Sequence, residues 1–302
     1  MRQVWVALIL LMVMSLAFKL MIMPDTFPGD GLTYFTYSLE IISGADHTVQ
    51  LRNIGLPLLA SPFIAMFPYH MTLIVFSITI SIILIPVSYF FFRKYLEPKY
   101  SIVSVFLLNF NFLILQNSVM GITEPLMLVF GVASLTVKNK NLSFLLAGLA
   151  TIVRIESLAF FVYLAIMYFY QRNPPKAFFK MLLFFILPCA FVYLAFNPFF
   201  LAPTIPHMNS GAVVDLSPTA SIINFGISFF PFFLMAAVGV IRKPTLLLPM
   251  VFFALPGIYA YLIAFDMRFY FMAFPFMALL SGIGIKTTVL WARTLVIHFK
   301  RN

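Results

Sequence analysis

The chain has 302 residues, of which 63% are hydrophobic and only 9% charged, with a formal net charge of +10. Soluble domains carry about 25% charged residues, so water is not the solvent for most of this sequence. The basic excess sits in short clusters between apolar runs, as in membrane-protein loops, and nucleic acid is set aside as a partner.

A helix needs about 20 apolar residues to cross the hydrocarbon core, with a range of ~17 to 25. The first run, 4–23, is long for a cleaved signal and lacks a small-residue cleavage site, so it reads as a retained signal anchor. Lys19 within it is expected to snorkel to the outer interface. A loop at 24–69 follows, opening with Pro24-Asp25-Thr26-Phe27-Pro28-Gly29-Asp30-Gly31, a turn-rich run that sets two carboxylates just beyond the membrane. It continues through Tyr34 and Tyr37 to Ile42 as an amphipathic helix lying in the interface. The stretch 54–67 contains Pro57 and Pro62 and is short for a crossing, so it reads as a second interfacial or re-entrant helix. The remaining candidate spans are 70–92, 101–117, 124–137, 142–153, 157–170, 177–197, 221–241, 245–265 and 269–289, the fourth to sixth of the whole series being short. Between them lies a second polar loop, 198–220. Cys189 falls in an apolar run, so no disulfide framework or thiol metal cluster is present. The predicted fold is all-α: one integral membrane domain, 1–302, built as a polytopic helical bundle of about ten spans with interfacial helices in the first outer loop.

Orientation follows from the basic residues. With 54–67 not crossing and the amino terminus inside, Arg93/Lys94/Lys99, Lys138/Lys140, Arg172/Lys176/Lys180, Arg242/Lys243 and Arg293/Lys300/Arg301 all fall on the cytoplasmic side, with both termini. The same assignment sends Asp25, Asp30, Glu40, Asp46, Glu124, Glu156, Asp215 and Asp266 outward and leaves Glu97 inside. Acidic residues contribute little to topology. This second asymmetry therefore has two readings: solvated loops, or a carboxylate-lined site facing outward. Asn109, Asn111, Gln116 and Asn117 read as interhelical hydrogen-bonding groups. His47 and His207, placed outside with Asp25 and Asp30, leave room for a divalent metal, although no close ligand spacing requires one. No half-to-half repeat is visible.

Several segments resemble the GT-C superfamily of polytopic glycosyltransferases, of the mannosyltransferase and aminoarabinose-transferase type. They are Asp30-Gly31-Leu32-Thr33-Tyr34 and Arg52-Asn53-Ile54-Gly55-Leu56-Pro57 in the first outer loop, Thr123-Glu124-Pro125-Leu126 opening a span, Ala147 to Arg154 closing one, and Asp266-Met267-Arg268-Phe269-Tyr270. The segments share one order and one side, and they cover the chain to about Pro275. The resemblance implies transfer of a sugar from a polyprenyl-phosphate donor to a lipid-linked or other acceptor on the non-cytoplasmic face. It implies an acidic catalytic residue in the first loop, carried over to Asp30 ahead of Asp25. The strict acidic pair of the oligosaccharyltransferases and the Asp-Glu doublet of the protein O-mannosyltransferases are not matched.

Such a transfer needs a base for the acceptor hydroxyl and cations for the leaving phosphate. Asp30 is the candidate base with Asp25 beside it. Arg268, Arg154 and Arg52 are the candidate phosphate holders, with Glu124, Glu156, Tyr34, Asp266 and His47 in support. For Arg154 the competing reading is a structural pair with Glu156 or Glu124; for Arg268 it is snorkelling beside Asp266. The expected setting is a prokaryotic cell membrane ahead of an endoplasmic one, and membrane lipid is the other expected partner. A transporter or flippase for a lipid or small solute is the rival class, and it requires ionisable groups along a path near the midplane.

Overall fold

The structure, a computed structural model, describes residues 2–24, 29–44, 54–196, 232, 234–264 and 271–301. Helix is the only regular structure among them, as expected where lipid offers backbone groups no hydrogen-bond partner. The helices are α1 (Arg2–Met21), α2 (Gly29–Ser43), α3 (Gly55–Met66), α4 (His70–Phe92), α5 (Pro98–Asn109), α6 (Phe112–Val119), α7 (Glu124–Thr136), α8 (Lys140–Val153), α9 (Leu158–Tyr170), α10 (Pro175–Phe196), α11 (Leu234–Arg242), α12 (Leu247–Ala264) and α13 (Phe274–Arg301). Among the described residues, four helices are long and apolar enough to cross a bilayer: α1, α4, α10 and α13. The number becomes six if each of two bent pairs, α5 with α6 and α11 with α12, forms one span.

The expected span 101–117 is thus broken, and its two halves meet at 57°. The break has a local cause. Asn111 adopts extended backbone, and its side chain accepts from the Leu113 backbone N–H at 3.0 Å, capping α6. Asn109 makes the expected interhelical bond, donating to Ser88 Oγ of α4 at 3.2 Å. At α11 and α12 the chain turns by 117° at Lys243, between the expected spans 221–241 and 245–265.

Contacts at the helix ends establish which loops share a side. Trp5 packs edge-on against Phe90, so α1 and α4 are antiparallel and Arg2 lies with Arg93. An even number of crossings therefore separates them, in keeping with α2 and α3 as helices that do not cross. Lys94 Nζ donates to the Leu135 carbonyl at 2.7 Å, and Lys140 Nζ to Asn173 Oδ1 at 2.9 Å. Lys286 of α13 pairs with Glu97 at 2.6 Å, and this hydrogen bond and charge hold the Glu97 carboxyl below its ordinary value. One end of the molecule therefore collects these basic loops, at 93–99, 138–140 and 172–176, with Arg2 and Lys286. An aromatic column of Phe160, Phe253 and Phe276, with centroids 4.8 and 5.0 Å apart, ties α9, α12 and α13 together and reaches Phe91 of α4.

Lys19 does not snorkel outward. It is fully buried, and its Nζ donates to Ser81 Oγ of α4 at 2.7 Å. Helical side chains lean toward the helix amino terminus, and for α1 that direction leads back toward the basic end and into the bundle. Its neighbours on the same stripe, Leu8, Leu11 and Ser15, are buried too.

Candidate functional site

The end opposite the basic loops holds a buried ionic cluster, and three local features assemble it. Gly121, at φ +64°, permits the tight reversal from α6 into α7. Glu124 and Pro125 then open α7, so the Glu124 carboxylate sits where the positive end of the helix favours an anion. At the close of α8, Arg154 leaves helical geometry for extended backbone (φ −150°, ψ 128°), and a 3-10 turn, Ile155–Ser157, brings Glu156 back beside it.

The Arg154 guanidinium is shared. Its Nη1 pairs with Glu124 Oε1, while Nε and Nη2 face Glu156 at 3.3 and 3.4 Å. Arg154 is 6% exposed and Glu124 1%, whereas the Glu156 side chain keeps 11%. Thr123 Oγ1 donates to the second Glu124 oxygen at 3.3 Å. The buried Ser157 hydroxyl has no hydrogen-bond partner among the described residues. Two carboxylates around one guanidinium leave the cluster formally at −1, and a buried charge of this kind persists only with close, well-directed partners.

Two short helices lie over this end. Gly55 at the head of α3 meets the end of α8 so closely that a Cβ there would stand 2.7 Å from the Val153 Cα, so glycine alone admits the contact immediately before Arg154. Tyr37 of α2, Ile54, Ile152 of α8 and Val192 of α10 form one apolar cluster, with Tyr34 packed against it. Asp30 is the second residue of α2, one turn before Tyr34. Glu40, further along α2, keeps one buried carboxylate oxygen without a partner among the described residues.

Of the residues singled out from sequence, the structure brings together Glu124, Arg154 and Glu156, with Tyr34 on the helix above. It places the Asp30 backbone in α2. Asp25, His47, Arg52, Asp266 and Arg268 lie outside the described residues, as does His207. The Thr123 bond to Glu124 and the buried Ser157 hydroxyl were not foreseen, since the turns flanking α7 and α9 that place them do not show in hydropathy. No group of three or more His, Cys, Asp or Glu side chains able to hold a metal exists among the described residues.

Depth can be read from helix length. The 13 residues of α7 rise about 20 Å from the cluster to the basic end, less than the ~30 Å of a hydrocarbon core. In a bilayer with the basic loops at one boundary, the cluster would lie short of the other. No protein-family model, no curated protein and no solved structure matches this chain.

Proposed function

We propose that this chain is a multi-pass membrane glycosyltransferase of GT-C type, taking a sugar from a polyprenyl-phosphate donor and passing it to a lipid-linked or other acceptor on the non-cytoplasmic face. One observation carries the reading. The first-loop helices and the segments around Glu124 and Arg154, which are distant in sequence, converge at the end opposite the basic loops. The positive-inside rule makes the basic end cytoplasmic, with both termini there and about ten spans between them, counting the short helices as crossings.

Asp30 is the base that accepts the acceptor hydroxyl proton, and Asp25 is its aid. Arg268 and Arg52 hold the donor phosphate. Arg154 joins them when a phosphate oxygen replaces Glu156, its more distant and more exposed partner, because a guanidinium fork suits either oxyanion. Glu124 meanwhile keeps Arg154 in place. The base assignment is tested by sugar transfer with purified protein in liposomes, offered labelled polyprenyl-phosphate sugars. Asp30→Asn is expected to insert normally and lose transfer, and an active Asp30→Asn enzyme would remove the claim.

One observation favours the rival, a transporter or flippase: Lys19 and Ser81 place a buried charge part-way along α1 and α4. Labelled lipid or solute crossing the liposome, with no transfer from any donor, would choose it.

A further inference from the structure

The buried Lys19 ammonium is poorly matched by what surrounds it. Among the described residues it has one hydrogen-bond partner, the neutral Ser81 hydroxyl, which itself donates to the Ile78 carbonyl at 2.6 Å. An ammonium has three N–H donors, and a charge inside a membrane bundle persists only with a partner or a function.

Other unmet polar groups lie on the helices packed around it. Ser15 lies one turn before Lys19 on the same buried stripe of α1, and Ser77 one turn before Ser81 on α4. Ser15 Oγ, Ser77 Oγ and the Asn117 Nδ2 of α6 are all buried with no hydrogen-bond partner among the described residues. The three residues are at most 4% exposed. The three helices pack on one another, and the end of α6 at Val119 meets Ile74 and Ile78 of α4, with Met23 from beyond the end of α1 against them. An amide N–H₂ only donates, the ammonium only donates, and hydroxyls donate as readily as they accept. A surplus of donors around a positive charge is the complement of an oxyanion with several acceptor oxygens.

The layer just outward of this group is apolar and adaptable. Ile74, Ile78 and Val119 are capped by Met23 and Met71, and methionine repacks easily. The Lys19 backbone stands in the last turn of α1, close to its end away from the basic loops, while its side chain reaches inward to Ser81. A cationic donor cluster beneath an apolar layer edged by methionines suits an amphiphile bearing a phosphate.

We propose that Lys19, with Ser15, Ser77 and Asn117, forms a phosphate-binding site between α1, α4 and α6, which takes the phosphate of a lipid headgroup that enters past Met23 and Met71. On binding, Lys19 exchanges its bond to Ser81 for the phosphate oxygens. The site stands on these four residues and holds under either functional reading.

The test is binding by the full chain in detergent, measured by equilibrium dialysis with labelled farnesyl phosphate, inorganic phosphate and uncharged farnesol. Farnesyl phosphate is expected to bind and farnesol not to. Lys19→Met is expected to weaken binding by about tenfold or more, the scale of a lost hydrogen bond to a charged group, while Lys19→Arg retains most of it. Competition by inorganic phosphate at similar concentration would assign the site to free phosphate and overturn the lipid source. Equal binding of farnesyl phosphate by wild type and Lys19→Met would overturn the site, as would no binding of any phosphate. If Lys19→Met does not fold, Ser77→Val, which keeps the charge, is expected to weaken binding, and unchanged affinity there counts against the proposal. Lys19-dependent binding without sugar transfer would sink the glycosyltransferase reading and leave this site standing.

Discussion

At Arg154 the cost of burial and the gain from pairing are both large, so single and combined substitutions should diverge. Removing one partner of a buried ion pair costs about 3–5 kcal/mol, because a charge remains without compensation, whereas replacing both by apolar groups is often neutral. Arg154→Met leaves Glu124, 1% exposed, facing Glu156 with no cation between them. It should lose stability on that scale in denaturant unfolding in detergent. Arg154→Met combined with Glu124→Leu and Glu156→Leu, which removes both carboxylates with the cation, should recover most of the loss, and an undiminished single variant would mean that water reaches the cluster. The sequence offered Glu124 and Glu156 as alternative partners of Arg154, and the structure uses both. What one dimension lacked was the turn at 155–157, which folds Glu156 back onto the guanidinium. Lys19 went the other way for a comparable reason. Its distance along α1 suggested the interface, but the lean of the Cα–Cβ bond decides where the amine goes.

Hydropathy located the helices well where lipid and length alone decide the matter, as at α4, whose bounds coincide with the expected 70–92. It failed at 109–111, where apolar residues continue on both sides and a side-chain cap, invisible to hydropathy, starts a new helix. Contacts between helices were harder still to read. Gly239 of α11 and Gly284 of α13 look like ordinary small residues in apolar runs. In the structure a Cβ on Gly284 would run into the Met235 carbonyl, and one on Gly239 into that of Leu280. These obstacles are backbone atoms and cannot rotate away. In membranes, where close approach of small residues supplies much of helix association, Gly284→Ala should already destabilise. Gly284→Leu should cost more, on the overpacking scale of about 1–3 kcal/mol or above. A graded fall in melting temperature in detergent, glycine to alanine to leucine, checks this, and equal stability of all three would separate α11 from α13.

For the whole molecule, the strongest constraint is the set of contacts that gathers Arg2, Lys94, Lys140, Asn173 and Lys286 at one end. Charge counting expects the loops at 93–99, 138–140 and 172–180 on one side, and packing brings these three together by a separate route. The site legible in sequence was likewise an end of the molecule before it was a set of residues. Replacing the single cysteine by Cys189→Ser allows the ends to be labelled one at a time with a membrane-impermeant maleimide. Tyr69→Cys, just before α4 and 70% exposed, should react in intact cells, and Tyr95→Cys, just after α4 and 48% exposed, only after permeabilisation. Asn139→Cys, between α7 and α8, should follow Tyr95→Cys. Reaction of the thiols at 69 and 95 from the same side would mean that α4 does not cross. Reaction of those at 95 and 139 from opposite sides would break the pairing of Lys94 with the Leu135 carbonyl on which the shared basic end rests. With both holding, α7, α8 and α9 run from the cytoplasmic boundary to the Glu124–Arg154 level with only 13 or 14 residues each. Helices so short leave about 10 Å of hydrocarbon thickness above them. That gap is filled by the interfacial helices α2 and α3, which would cover the cluster, or by a local thinning of the bilayer, which would bring the cluster to the membrane surface.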